Sequence, residues 1–388
     1  MKLLYIVNAQ ISNLIPLFRE LNKKDEISFK AVFWQNLSAD FHEPAFNKVI
    51  NYGVDLFFGY DYFFLCNKKR NKFNTSFFFK LKTLLRLIKF IVKEDFDTIV
   101  FHSYLGPHVI ASILAKLMKK KTIMRTMSYN LGKKNILKRV IRFFYYRFAN
   151  IFIDQFWSIH KLNTEFFLNF GAKKEKIILV HHCQGEYKEL LKKDNRLLLS
   201  HEATCEKYKL PKNKKFIFFA GKFVERKNPK LLLQSFIDAK LSNDWYLLIV
   251  GDGKFEKEMK LLVQSENINN VKFLGFKNQK ELISLFANSE IFVLPSNIGD
   301  THGNVGAEAI QFGCAVIFSN MVGLHPEVID EEIGLVFDIE RKDQLINHLR
   351  LLTTDINLLN KYKKNAMEYG KKKTPEYTSN QIIESLRL

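Results

Sequence analysis

The chain has 388 residues, 47% of them hydrophobic, and a formal net charge of +20. That length suits two domains, and the apolar content excludes a disordered chain. No apolar run reaches the ~18 residues of a spanning helix, and "MKLLYIVNAQ" turns polar too soon for a secretory leader. Cys66, Cys183, Cys205 and Cys314 form no CxxC pair and are read as reduced packing residues. A cytoplasmic chain is therefore expected, able to sit peripherally at the inner face of a membrane. The excess charge favours phosphate-bearing partners, although a coding bias toward Lys, Asn, Ile and Phe would also leave solvated lysines. With no recognition motif in the chain, nucleic acid is not an expected partner.

In chain order, short apolar runs alternate with longer periodic ones. "KLLYIV" (Lys2–Val7), "FKAVFW" (Phe29–Trp34), "TIVFHS" (Thr98–Ser103), "KTIMRT" (Lys121–Thr126), "IFIDQFWSIH" (Ile151–His160) and "KIILVHH" (Lys176–His182) read as strands. Phe79–Lys93 and Lys133–Phe148 interleave basic and large apolar residues at helical spacing. Such helices suit an anionic membrane surface, or are ordinary amphipathic helices with lysines in water. The polar stretch from 186 to 215 fits a linker. Beyond it, strand-bearing runs are expected over Lys215–Lys222, Trp245–Gly253, Val271–Phe276, Ile291–Ser296 and Ala315–Ser319. Asn228 and Pro229 open one helix, and others follow near Phe255, Gln279–Ser289 and Arg341–Leu352. Strand–helix alternation with short loops predicts α/β architecture: two Rossmann-like doubly wound domains facing a cleft. The expected boundaries are 1–200, 201–365 and 366–388.

The unusual polar residues of the second half fall just past strands, where open α/β sheets bind ligands. Lys222, Arg226 and Lys227, before a helix N-terminus, can neutralise a diphosphate. Gly251-Asp252-Gly253 is either a tight turn or a place where a ligand comes close, which makes Gly253 a candidate contact. Gly303, Asn304 and Val305 precede or open a helix whose first amides lack intrahelical partners, so they can receive phosphate or sugar oxygens. Asp300 and Glu308 each offer two oxygens to vicinal hydroxyls.

From about Phe216 to Phe337 this order resembles glycosyltransferase family 4, retaining enzymes of the GT-B architecture. The shared features are a basic pair in a "G(R/K)xxxxK" segment, a "GDG" turn and two acids eight residues apart. The resemblance implies that Lys222 and Lys227 hold the donor diphosphate, that Glu308 holds the ribose and that Asp300 contacts the transferred sugar. It implies no metal or other cofactor, since Lys222, Lys227 and the helix amides stabilise the leaving group. It also implies a final helix that returns to the first domain. Two departures stand out: the first acid is Asp300 where the family has Glu, and His302 stands where it usually has Phe. In the first half, His102 and His108 follow a strand where the family often places a histidine near the reacting centre. Asn8 and Gln10 are candidate donor or acceptor contacts, and Arg125 can pair with an anionic acceptor group. His181 and His182 are adjacent in a strand and point apart, so no metal site is expected there.

The expected activity is transfer of a hexose-type sugar from a nucleoside-diphosphate sugar to a glycan or lipid-linked glycan, in surface polysaccharide or lipopolysaccharide assembly. The alternatives are a nucleotide-sugar epimerase of the same architecture and a catalytically silent sugar-nucleotide binder.

Overall fold

The computed structural model describes residues 1–9, 14–37, 41–43, 48–50, 55–74, 76–103, 107–129, 136–185 and 187–388. Gln10 and Lys133 lie outside them. The chain divides into two compact units. The first comprises Met1–His42, Val49–Cys183 and Pro375–Leu388, and the second comprises Gln184–Thr374 together with Glu43–Lys48.

The strands before Gln184, in chain order, are β1 (Lys2–Val7), β2 (Ser28–Phe33), β3 (Asn36–Leu37), β4 (Phe41–Glu43), β5 (Lys48–Ile50), β6 (Tyr62–Phe64), β7 (Lys69–Arg70), β8 (Thr98–Phe101), β9 (Lys121–Arg125), β10 (Gln155–Ser158) and β11 (Ile177–Leu179). Seven form one sheet in the order β11-β10-β9-β8-β1-β2-β6, every pair parallel. Its helices are α1 (Ile15–Asn22), α2 (Phe77–Lys93), α3 (Pro107–Leu117), α4 (Ile136–Phe152) and α5 (Lys161–Asn169). Ser76 starts α2 by accepting from the Phe79 amide at 3.3 Å.

In the second unit come α6 (Tyr187–Lys193), α7 (His201–Tyr208), β12 (Lys215–Ala220), α8 (Pro229–Ala239), β13 (Trp245–Val250), α9 (Glu256–Ser265), β14 (Val271–Gly275), α10 (Gln279–Ala287), β15 (Ile291–Leu294), α11 (Asn304–Gln311), β16 (Ala315–Ser319), α12 (His325–Asp330), β17 (Gly334–Phe337), α13 (Lys342–Thr354) and α14 (Ile356–Gly370). The sheet order is β14-β13-β12-β15-β16-β17, again all parallel. Strands covered on both faces read as unbroken apolar runs. "FIFFA" within β12 and "IFVL" in β15 are buried throughout.

The strand order reverses once in each sheet, between β1 and β8 and between β12 and β15. A crevice opens at such a switch point, beyond the carboxyl ends of the strands. Both units therefore have the doubly wound, Rossmann-like arrangement expected from the alternation. The last helix, α15 (Pro375–Arg387), returns to the first unit, where Ile382, Ile383 and Leu386 join its core.

Three local expectations need correction. The stretch read as a linker carries α6 and α7, and Tyr187, Cys205, Tyr208 and Leu210 join the core of the second unit. The division therefore falls at Cys183/Gln184 where the sequence reading put 200, and at Thr374/Pro375 where it put 365. Asn228 precedes α8 but makes no side-chain cap; its φ of 48° places it in the left-handed region that Asn tolerates better than most residues.

Candidate functional site

The loops after β12 and β15 flank the switch point of the second sheet, and each carries one half of an ion pair. Lys227 Nζ bonds Asp300 Oδ2, with side chains only 12% and 9% exposed. The Ser296 hydroxyl donates to the same Asp300 oxygen at 3.2 Å. Main-chain bonds fix the acid's position: the Asp300 amide donates to the Met321 carbonyl at 2.9 Å, and the Gly323 amide donates to the Asp300 carbonyl at 2.8 Å. Burial opposes the Asp300 charge, but the Lys227 ammonium, with Arg226 and Ser296 behind it, outweighs burial and holds the carboxyl below its ordinary range.

Gly303 sits at the N-cap of α11 with φ 84° and ψ 48°. A Cβ there would also lie 2.5 Å from Val322 Cγ1, so both backbone and space require glycine. No side chain caps α11. The helix thus presents the first-turn amides of Asn304 and Val305, next to that of Gly303, with their positive dipole end. Asn304 Oδ1 accepts from Gln184 Nε2 at 3.1 Å.

Glu308 lies one turn farther along α11. Burial pushes its carboxyl up to about 7, against the Tyr187 hydroxyl and the Lys227 charge, which pull it down. Tyr187 is itself held well above its ordinary value by burial and by Glu308. Its ring packs edge-on against Phe312 at 5.2 Å. Lys227, Asp300, Glu308 and the α11 terminus thus share one electrostatic neighbourhood, and Lys222 lies on the same β12–α8 loop.

Gly253 and Gly251 both sit against backbone. A Cβ at Gly253 would meet the Phe223 carbonyl oxygen at 2.8 Å, and one at Gly251 would meet the Gly221 carbonyl oxygen at 1.9 Å. The close approach that these glycines permit is to the chain itself. The Phe223 amide donates to the Asp252 carbonyl at 2.8 Å, tying the turn to the loop that bears Lys222. His302 is buried, at 1% exposure.

The first-half candidates gather at the switch point of the other sheet. His102 Nδ1 meets the Tyr5 hydroxyl at 3.0 Å. His108 Nε2 meets Asn8 Oδ1 at 3.0 Å, and its ring stacks on Trp34 at 4.4 Å. Burial brings both imidazoles down to about 3; Arg125 and His108 add to the effect at His102. Both are therefore neutral hydrogen-bonding groups at any physiological pH. Arg125 is the candidate for pairing with an anionic acceptor group. It is instead fully buried, and its guanidinium donates to the carbonyls of Val180 at 3.4 Å and His181 at 3.0 Å. It ties β9 to the segment after β11. His102 and Arg125 lie in the first unit, and the other candidates in the second.

Sequence reasoning missed Tyr187, Gln184, Ser296 and Tyr5. Ser296 ends an apolar run and carried a weak positional signal; the other three carried none. Among the described residues no group of three or more His, Cys, Asp or Glu could hold a metal ion, and no helix is long and apolar enough to cross a membrane.

Residues 200–369 match the family described as Glycosyl transferases group 1. The chain is 28% identical over 159 residues to N-acetylgalactosamine-N,N'-diacetylbacillosaminyl-diphospho-undecaprenol 4-alpha-N-acetylgalactosaminyltransferase of Campylobacter jejuni, a match covering 40% of this chain and 42% of that protein. The chain thus spans about two-fifths of that relative's length. It is 25% identical over 315 residues to UDP-Gal:alpha-D-GlcNAc-diphosphoundecaprenol alpha-1,3-galactosyltransferase of Escherichia coli, covering 76% of this chain and 77% of that one. Among solved structures, Anabaena Alr3699/HepE in complex with UDP superposes with a TM-score of 0.73 at 15% identity, over 100% of both chains. A switch-point site in a parallel sheet, the matched family and a shared fold agree: residues 200–369 are similar to the Glycosyl transferases group 1 family, within a chain of GT-B fold.

Proposed function

We propose that the chain is a retaining, hexosyl-type glycosyltransferase that moves a sugar from a nucleoside-diphosphate sugar to a lipid-linked glycan, in surface polysaccharide or lipopolysaccharide assembly. The observation that carries this reading is the Lys227–Asp300 pair at the switch point, beside the uncapped start of α11. In this reading Lys222, Lys227 and the amides of Gly303, Asn304 and Val305 receive the diphosphate. Glu308 accepts from the ribose diol. Asp300 is freed as Lys227 turns to phosphate, and then accepts from a hydroxyl of the sugar. The bond from the anomeric carbon to the β-phosphate oxygen breaks, and an acceptor hydroxyl bonds to that carbon from the same face. The hydroxyl proton passes to the departing diphosphate. Lys227 stabilises the charge that develops on that leaving group, and the neutral His102 orients a hydroxyl through Nε2. These groups supply the neutralisation without a cofactor.

The two undecaprenyl-linked substrates in the relatives' names support a lipid-linked acceptor, and the UDP complex makes uridine diphosphate sugars the first donors to test. The basic faces of α2 and α4 support contact with an anionic membrane. Phe78 is 82% exposed, and Ile136 is 76% exposed among Lys138, Arg139 and Arg142.

The test is thermal shift against UDP-, GDP-, ADP- and CMP-sugars, wild type beside Glu308→Ala. One nucleotide family should stabilise the wild type and not the variant, and nuclear magnetic resonance of the glycosidic product should give the donor's anomeric configuration. No stabilisation by any donor overturns the reading. Sedimentation with anionic vesicles at low salt tests the membrane part.

A further inference from the structure

The first unit contains a groove of about 330 Å³ between the edge strand β6 and helix α2. Its floor is apolar: Leu65 is buried, and the Phe63 ring stacks on Phe90 at 4.8 Å. Its rim is basic. Arg86, Lys89 and Lys93 occur at spacings of three and four residues on α2, so they stand in one row along the groove. Arg86 is anchored, donating to the Leu65 carbonyl at 2.7 Å. The single acid at the rim, Glu94, is paired with Lys30 at 2.8 Å. Lys89 and Lys93 have no ion-pair partner among the described residues.

Row and floor together fit one chemistry. Two unpaired lysines beside an anchored arginine, with the one rim acid already paired to Lys30, suit a phosphate, and a stacked aromatic floor suits hydrocarbon. The volume lies at the small end of ligand pockets, about 300–1,000 Å³, enough for a phosphate head and the first carbons of a chain. We infer that this groove binds the phosphate head of an anionic membrane phospholipid, with its chain leaving across Phe63 and Phe90. The inference deepens the membrane part of the reading above and rests on it.

Titration calorimetry of the full chain with dihexanoyl phosphatidic acid, a soluble short-chain lipid, tests it. Saturable one-to-one binding is expected, and Lys89→Glu with Lys93→Glu should weaken it about tenfold or more. Inorganic phosphate should bind about tenfold more weakly than the lipid, because it leaves the apolar floor unused. As a control, Arg139→Glu with Arg147→Glu reverses charge on α4 and should leave the short-chain lipid unaffected. Equal binding of inorganic phosphate, an unchanged α2 variant, or an equal loss in the α4 variant each overturns the site. Vesicle sedimentation separates the two ideas. If wild type and α2 variant sediment equally with anionic vesicles, the membrane reading stands and the groove falls. If wild type binds the soluble lipid but ignores vesicles, the groove is a lipid-phosphate site and the membrane reading falls.

Discussion

Lys227 and Asp300 hold each other in a nearly water-free place, where the Lys227 ammonium keeps the Asp300 carboxyl charged against burial. Removing one member of a buried pair strands the other and costs about 3–5 kcal/mol. Lys227→Met should therefore destabilise the protein by about that amount in urea titrations, and Asp300→Asn on top of it should recover most of the loss. A double variant as unstable as the sum of the two singles would show that the residues do not act as a pair. Glu308 titrates near neutrality because of burial, and the sign of its effect follows. Its folded value exceeds its ordinary 4.5, so its stabilising contribution is complete below pH 4.5 and is lost as pH rises through about 7. Glu308→Gln should match wild type near pH 4 and exceed its stability by about 2 kcal/mol at pH 8. Under the proposed role, donor binding runs the other way, tightening as Glu308 ionises. Tyr187→Phe removes a hydroxyl that favours the carboxylate, so the midpoint of donor binding should move up by roughly half a unit. A simple packing role for Tyr187 predicts no such movement. Lys227, Asp300 and Glu308 were legible because strand ends announce themselves in sequence. Tyr187 was not, because its importance comes from what α11 brings to it.

At the scale of elements, legibility follows burial. Strands β12, β13, β15 and β16 are covered on both faces, so their apolar runs are unbroken and their positions are legible to within about three residues. β6 is three residues long, and Tyr62 and Phe63 are exposed, so no run marks it. Helices α6 and α7 were taken for a linker because a few apolar anchors in a polar stretch give no period. The GDG turn is legible from its glycines, and both of them allow a close approach of backbone to backbone. Gly251→Ala would put a Cβ 1.9 Å from the Gly221 carbonyl oxygen at φ 144°, and Gly253→Ala one 2.8 Å from the Phe223 oxygen at φ 147°. Each should destabilise by about 2 kcal/mol or more, a fall of about 5 °C in Tm, with Gly251→Ala the worse. Gly275→Ala is the comparison, since at φ 69° it meets nothing within 4 Å, and it should cost only about 1 kcal/mol. Equal Tm values for all three would mean that φ alone, not the backbone contact, sets the cost.

For the whole molecule, the two-unit plan was legible because strand–helix alternation occurs twice, once on each side of a polar stretch. The exact division was not, since it depends on which core α6 and α7 join. The return of α15 to the first unit is the longest-range feature of the chain, and its contacts show what depends on it. Ile382 is fully buried, and Ile383 and Leu386 are 7% exposed. Gln155 Nε2 donates to the Ser385 carbonyl at 2.9 Å while its Oε1 accepts from Trp157 at 3.1 Å. The His181 amide donates to Gln381 Oε1 at 3.0 Å, and Thr378 donates to the His181 carbonyl at 3.1 Å. Cutting the chain after Thr374 would expose three large apolar side chains' worth of core, about 1.5–3 kcal/mol each, and leave β10 and β11 with unanswered polar groups. That sum rivals the whole stability of a typical domain, about 5–15 kcal/mol. Amide hydrogen exchange should therefore show protection lost in β9, β10 and β11 of the truncated chain and kept in β12, β13 and β15. Ile382→Ala, which leaves the helix in place, should lower the stability of the same region by about 2–5 kcal/mol. If β9 to β11 stay protected without α15, the helix only covers a core that folds by itself. If β12 to β15 also lose protection, the two units fold as one, and the helix is a tie for the entire chain.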